Sequence, residues 1–210
     1  KTLYSNGKTK DELNYKMGQL EGISRGYYDD GTLKSESNYT GGKMNGLAKT
    51  YHSNGKLRAE GGFKDGKRHG PRKTYDEKGR LAADENYRLG TKDGTFLLYN
   101  PETGVLYTEI PYKNDKKSGR ERFYNPETGV LYTEIHYKND KKSGRERFYA
   151  PPGFMLWETN YVDGKKEGLS RSFSPLNGWP VRIENYRNDL LHGQVVVFDE
   201  YAGVPEKVYQ

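Results

Sequence analysis

NPETGVLYTEIPYKNDKKSGRERFY spans Asn100–Tyr124, and NPETGVLYTEIHYKNDKKSGRERFY follows at once over Asn125–Tyr149. The blocks differ only at Pro111 and His136. Near-identity over such a length marks a building block, because a catalytic site is needed once. Working outward from the pair, one glycine recurs along the chain as Gly22, Gly46, Gly70, Gly94, Gly119, Gly144, Gly168 and Gly193. Seven residues before each lies an aromatic: Tyr15, Tyr39, Phe63, Tyr87, Tyr112, Tyr137, Tyr161 and Tyr186. Five residues after each lies another: Tyr27, Tyr51, Tyr75, Tyr99, Tyr124, Tyr149, Phe173 and Phe198. Self-similarity at this period is the signature of a repeat architecture.

Each repeat holds two short extended runs separated by two turn signals. KDGK at Lys64–Lys67 and KNDK at Lys113–Lys116 mark the first; SNGK at Ser53–Lys56 and DDGT at Asp29–Thr32 mark the second. Asn-Gly and Asp-Gly favour φ > 0 at two successive positions and predict two-residue hairpin turns. The longer repeats carry their extra residue in the second turn, as in NPETG. The expected fold is all-β: an elongated, open antiparallel meander of about eight stacked hairpins. Residues 1–210 read as one array, with 1–150 regular and 151–210 divergent and more apolar. Glycine before the second run of each repeat is expected to let the next repeat's aromatic lie against bare backbone.

Composition fits a thin-cored array. Leu, Ile, Val and Phe are only 37 of 210 residues, and 30% are charged. Such values ordinarily predict disorder. The 19 Tyr and 26 Gly are periodic, however, and a repeat needs to bury surface only against its neighbours. There is no Cys, which excludes disulfides, thiolate metal sites and Cys nucleophiles. Mean hydropathy is −1.10, and no apolar run approaches the ~20 residues of a membrane-spanning helix. The net charge of +6 is compatible with an acidic protein, nucleic acid or an anionic membrane. The chain opens on Lys1, which is read as a fragment or processed form and favours the bacterial periplasm or envelope over the cytoplasm.

The segments ESNYTGGKMNGLAKTYHSNGKL (Glu36–Leu57) and EGGFKDGKRHGPRKTYDEKGRL (Glu60–Leu81) resemble MORN repeat variants, as found in bacterial proteins of the YwqK antitoxin-like family. The resemblance covers nearly the whole chain. Ile183 departs from it where Glu is expected, as do Pro180 and Pro205 in place of Leu. It implies a non-enzymatic array that binds other proteins, some members being antitoxins or immunity proteins for secreted effectors, including lipase effectors of type VI secretion. Eukaryotic MORN proteins imply scaffolding or membrane attachment instead.

Glu12, Glu36, Glu60, Asp84, Glu109, Glu134 and Glu158 form an acidic row; Arg25, Lys49, Lys73, Arg122, Arg147 and Arg171 form a basic one. A carboxylate row invites a calcium or glycosidase reading, and a basic row with Tyr invites nucleic acid. A two-residue turn at Asn54-Gly55 sets Lys49 opposite Glu60, and the same rule sets Arg25 opposite Glu36, Lys73 opposite Asp84 and Arg147 opposite Glu158. The rows are therefore expected to form one ladder of cross-strand ion pairs. Phe63 and Tyr51 are expected on opposite faces, one aromatic row being core and the other a recognition stripe. His52, His69, His136 and His192 meet no metal spacing. Phe154–Trp157, Leu176, Trp179, Pro180, Leu190, Leu191 and Val195–Phe198 read as an end cap, or as an apolar patch rimmed by Arg171, Arg182 and Arg187.

The expected activity is binding of a protein partner, a cognate toxin or effector, by a monomer with no catalytic residue, cofactor, metal or nucleic acid. Candidate contact residues are Tyr51, Tyr75, Tyr99, Tyr124 and Tyr149, the arginines Arg122, Arg147 and Arg171, and Trp157 and Trp179. The alternative is a scaffold or envelope-associated repeat protein. Lipid contact is disfavoured because the basic row is already paired.

Overall fold

The structure, a computed structural model, describes residues 1–199, 201 and 203–209. Every regular element among them is a β-strand. The chain divides into two compact units, Lys1–Gly104 and Val105–Gln210. In the first, Gly22–Tyr27, Leu33–Thr40, Lys43–Tyr51, Leu57–Lys64, Lys67–Tyr75, Leu81–Arg88 and Gly94–Tyr99 pair in succession, all antiparallel. In the second, Leu106–Lys113, Gly119–Tyr124, Leu131–Lys138, Lys141–Ala150, Phe154–Val162, Lys165–Phe173, Pro180–Arg187, Val195–Phe198 and Pro205–Tyr209 do the same. Each unit is an open meander of hairpins, as the turn spacing predicts.

The first turn of each repeat is the expected two-residue type. Lys64 opposes Lys67, with Asp65 at φ 51° and Gly66 at φ 78°. These turns also bond to one another. The Gly66 N–H donates to the Met44 carbonyl at 2.9 Å, and the Asp140 N–H to the Lys117 carbonyl at 3.0 Å. Where Asp replaces Gly, its carboxylate adds a bond: Asp140 Oδ1 accepts from the Lys117 N–H at 2.8 Å, and Asp189 Oδ1 from the Lys166 N–H at 2.7 Å. That bond, made to the preceding repeat, accompanies the left-handed backbone at the Asp.

The second turn differs from expectation. It is a three-residue loop: the His52 N–H donates to the Lys56 carbonyl at 2.8 Å, and the Gly55 N–H to the His52 carbonyl at 2.9 Å. Gly55 alone is left-handed, at φ 80°. Asn54 is used otherwise, its Oδ1 accepting from the Lys56 N–H at 3.0 Å and its Nδ2 donating to the Glu77 carbonyl at 2.8 Å. The odd residue is absorbed by a bulge between Thr50 and Tyr51. The predicted ion-pair register survives because loop and bulge offset each other: Lys49 opposes Glu60 and Thr50 opposes Ala59, although Tyr51 opposes Leu57. In the longer repeats Asn125 closes a four-residue loop, its N–H donating to the Val130 carbonyl at 2.8 Å.

The repeat glycine lies across from the next repeat's aromatic, as expected, and at some positions it meets a second constraint. Gly144 does lie directly across from Tyr161, the next repeat's aromatic. What crowds it, however, is the preceding strand. Gly144 sits at φ 107° in a bulge between the Ile135–Glu146 and Tyr137–Lys142 pairs. A Cβ there would stand 3.1 Å from the Cβ of His136, and one on Gly119 would stand 3.0 Å from Pro111 Cγ. The single difference between the duplicated blocks thus falls on the residue that packs against this glycine.

Neither aromatic row is a fully buried core, contrary to expectation. Both are half-buried apart from the exposed Tyr15, and among the described residues the buried hydrophobic ones are Ala83, Phe96, Ile135 and Val195. Glu121, Glu134, Glu146 and Glu158 are buried with them, at 2%, 5%, 8% and 5% exposure. A single sheet cannot enclose both of its faces, so the interior of the second unit is made largely of partnered charges and the flanks of rings. The apolar C-terminal third forms no buried cap either. Val195 is buried, but Phe154, Leu190 and Leu191, in strands beside turns, and Leu176 and Trp179, on a loop, are exposed.

Replacing Gly144 with Ala should destabilise the protein by about 1–3 kcal/mol, the usual cost of a strained backbone position. Chemical denaturation would show it, and an unchanged midpoint would contradict the assigned backbone.

Candidate functional site

Side chains alternate across each strand, so each unit presents two unlike faces. One carries the predicted ladder. In the second unit it is continuous: Arg122 bridges Glu109 and Glu134, each at 3.0 Å, and Arg147 bridges Glu134 at 3.6 Å and Glu158 at 3.2 Å. Arg171 closes the run on Glu158. In the first unit the rungs are sparser, Arg25 Nε lying 2.8 Å from Glu36 and Lys73 Nζ 3.8 Å from Asp84. The second aromatic row borders this ladder. Tyr27 donates to Glu12 at 2.8 Å and Tyr75 to Glu60 at 3.3 Å. Tyr124 lies against Glu109.

The electrostatics follow. Glu109 and Glu134 hold the Arg122 guanidinium far above its ordinary range. Burial works against the Glu158 carboxylate, but Arg171 and Arg147 outweigh it and keep its pKa below the usual value. A charged group removed from water is tolerated only when so matched. The ladder arginines are therefore spent on neighbouring carboxylates.

The opposite face carries a second charge pattern that the sequence reading missed. Lys117 Nζ bonds Glu121 at 2.5 Å and sits 5.0 Å from the centre of the Tyr137 ring. Lys142 repeats this with Glu146 at 2.6 Å and Tyr161 at 4.9 Å. Burial and then Glu121 push the Tyr137 hydroxyl up to about 12. Burial and Glu146 push Tyr161 further still. The available signal was a Lys and a Glu four residues apart, flanking the bulge glycine. In a regular strand such positions share a face but stand two pleats apart; the bulge brings them together.

This face also bears a stripe of rings. Phe123 lies 6.3 Å from Tyr132, Tyr132 lies 6.2 Å from Phe148, and Phe148 stacks on Trp157 at 6.0 Å with 12° between planes. Among the described residues of the unit, neither a helix nor a second sheet covers it, and Tyr132 is 37% exposed. Tyr132 joins because a bulge beside Leu131 turns it to this side.

The remaining candidate residues scatter. Tyr51, Tyr99 and Tyr149 are half-buried at strand ends, Tyr51 accepting the Tyr28 hydroxyl on its carbonyl at 2.7 Å. Trp157 lies on the ring stripe, whereas Trp179 lies at the base of a loop, its carbonyl accepting the Ser174 N–H, and packs against Gly203. The histidines are dispersed: His52 Nε2 is 2.9 Å from the Tyr75 carbonyl and His136 Nδ1 is 2.9 Å from that of Arg145. Among the described residues no group of three or more His, Asp or Glu is placed to hold a metal ion.

Glu158→Gln should lower stability at neutral pH by about 1–3 kcal/mol, below the full cost of breaking a buried pair because its arginines are partly solvated. Because the folded pKa is depressed, the wild-type contribution is complete above the unfolded carboxylate value. It disappears as pH falls through the folded one. The variant should therefore lose less stability than wild type on acidification, measured by urea titration. Tyr137 and Tyr161 act at the other extreme. Their raised values stabilise the fold fully below the ordinary tyrosine pKa, and the contribution is lost as pH rises toward and beyond about 12 for Tyr137. Tyr161→Phe should flatten the alkaline loss in the same assay.

Comparison with curated proteins finds no match. Residues 20–40, 44–65 and 68–88, consecutive hairpins of the first unit, match the MORN repeat variant.

Proposed function

We propose that the chain is a non-enzymatic protein-binding array, and that its partner is a toxic effector neutralised by binding, the role of an antitoxin or immunity protein. The single observation that carries the binding reading is the stripe Phe123–Tyr132–Phe148–Trp157, on a face that no second layer covers among the described residues of its unit. Rings held in a row by a sheet lose little freedom on contact, and Trp and Tyr dominate binding energy at protein interfaces. The antitoxin role is drawn from the resemblance to YwqK-like proteins. The ladder face, with Tyr51, Tyr75, Tyr99, Tyr124, Tyr149, Arg122, Arg147 and Arg171, is the less favoured contact surface, since its charges already neutralise one another. The same saturation disfavours attachment to anionic lipid.

Immobilised protein should capture the product of the neighbouring gene, and co-expression should suppress that product's toxicity. Trp157→Ala should weaken capture at least ten-fold, whereas Tyr75→Ala should leave it within two-fold. A neighbouring product that is not toxic and is not captured would end the antitoxin reading. Capture that depends on Tyr75 and ignores Trp157 would move the contact to the other face.

A further inference from the structure

The Lys–Glu–Phe pattern of the ring face belongs to the two near-identical repeats and stops at the repeat that follows them. Lys117, Glu121 and Phe123 in one repeat and Lys142, Glu146 and Phe148 in the next become Lys166, Ser170 and Ser172 in the third. Both changes remove a large side chain from the same face of one strand. Ser170 lies between Thr159 and Glu184, and Ser172 between Trp157 and Arg182. The result is a cavity of about 190 Å³, with Trp157 and Tyr161 on one flanking strand, Arg182 and Glu184 on the other, and Lys166 toward the turn. A cavity of ~150 Å³ accommodates benzene, so this one has room for a single ring.

The charges at the gap are unbalanced. Arg182 Nε bonds Glu184 Oε1 at 2.6 Å, and Tyr186 donates to Glu184 Oε2 at 2.9 Å, so that carboxylate is matched. Ser170 is occupied with Thr159, oxygen to oxygen at 2.8 Å. Lys166 has lost the carboxylate that its counterparts Lys117 and Lys142 hold. Among the described residues no carboxylate oxygen lies within 4.0 Å of its amine, which sits 4.7 Å from the Tyr186 ring centre. The ring stripe also ends here, because Trp157 stacks on Phe148 and meets Ser172 where the two preceding repeats carry Phe123 and Phe148.

We propose that this cavity is the anchoring pocket of the binding face, and that it takes an aromatic side chain of a protein partner whose neighbouring residue is acidic. The ring continues the stack beyond Trp157, and the carboxylate supplies Lys166 with the counter-ion that Ser170 does not. This rests on the reading of the chain as a protein-binding array and names the chemistry it selects.

Trp157 reports directly, since Trp179 is the only other tryptophan. In the full chain carrying Trp179→Phe, acetyl-Asp-Phe-amide should change the emission of Trp157 saturably. Acetyl-Asn-Phe-amide and acetyl-Asp-Ala-amide should each bind at least five-fold more weakly. Ser172→Phe, which restores the residue of the preceding repeats, should abolish the response while circular dichroism stays that of wild type. Lys166→Gln should bring the Asp and Asn peptides within two-fold, and it carries the test alone should Ser172→Phe misfold. No saturable response to the Asp-Phe peptide, equal affinity for either control, or full binding by Ser172→Phe would overturn the pocket. A captured protein that binds wild type and Ser172→Phe equally would also overturn it while leaving the protein-binding reading intact. Specific peptide binding with no protein captured would do the reverse.

Discussion

The structure depends on carboxylates that are taken out of water and repaid by cations from adjacent strands. Glu134 and Glu158 are each 5% exposed, and each lies within ion-pair distance of more than one arginine. Burying such a charge alone costs several kcal/mol, and removing one partner of a buried pair is more damaging than any gain from the pair itself. The strands are thereby held to one register. A slip by one residue would turn each carboxylate to the opposite face, away from its arginines. Specificity of pairing here comes from charge, a task that apolar side chains perform in most sheets.

This explains how so polar a chain folds. Full burial of one large apolar side chain contributes about 1.5–3 kcal/mol, and the described residues bury few of them completely. The deficit is met along three parallel lines: the ladder on one face, the Lys–Glu–Tyr contacts on the other, and hydrogen bonds that tie turn to turn and loop to loop. Tyr4, Tyr28 and His52 each reach the carbonyl of an equivalent position one repeat away. Each interaction is modest, but each recurs, and recurrence is what a repeat supplies.

The same economy separates structure from recognition. A residue whose charge is matched by its own neighbours is poor at attracting a partner, and that describes the ladder. A face becomes useful for binding where the repeat stops satisfying itself. Ser170 and Ser172 are such a place, because two small residues replace a carboxylate and a ring while the lysine that served them remains.

Much of the fold was legible in the sequence. The periods of glycine and aromatic residues gave hairpins, and Lys64–Lys67 gave a two-residue turn, because backbone left-handedness leaves a local chemical trace in Gly, Asn and Asp. The pairing of Lys49 with Glu60 and Arg147 with Glu158 was read from turn position, and it holds because a bulge offsets the longer loop. What tertiary structure decided was everything that passes through a bulge. The second turn was longer than Asn54-Gly55 suggested, and its bulge restored the register. The bulge at Gly144 set Lys142 beside Glu146, and the bulge beside Leu131 swung Tyr132 onto the ring stripe. Bulges depend on the strand opposite as well as on the strand that carries them. Local sequence therefore fixes how the chain turns, and only the assembled sheet fixes which side chains meet.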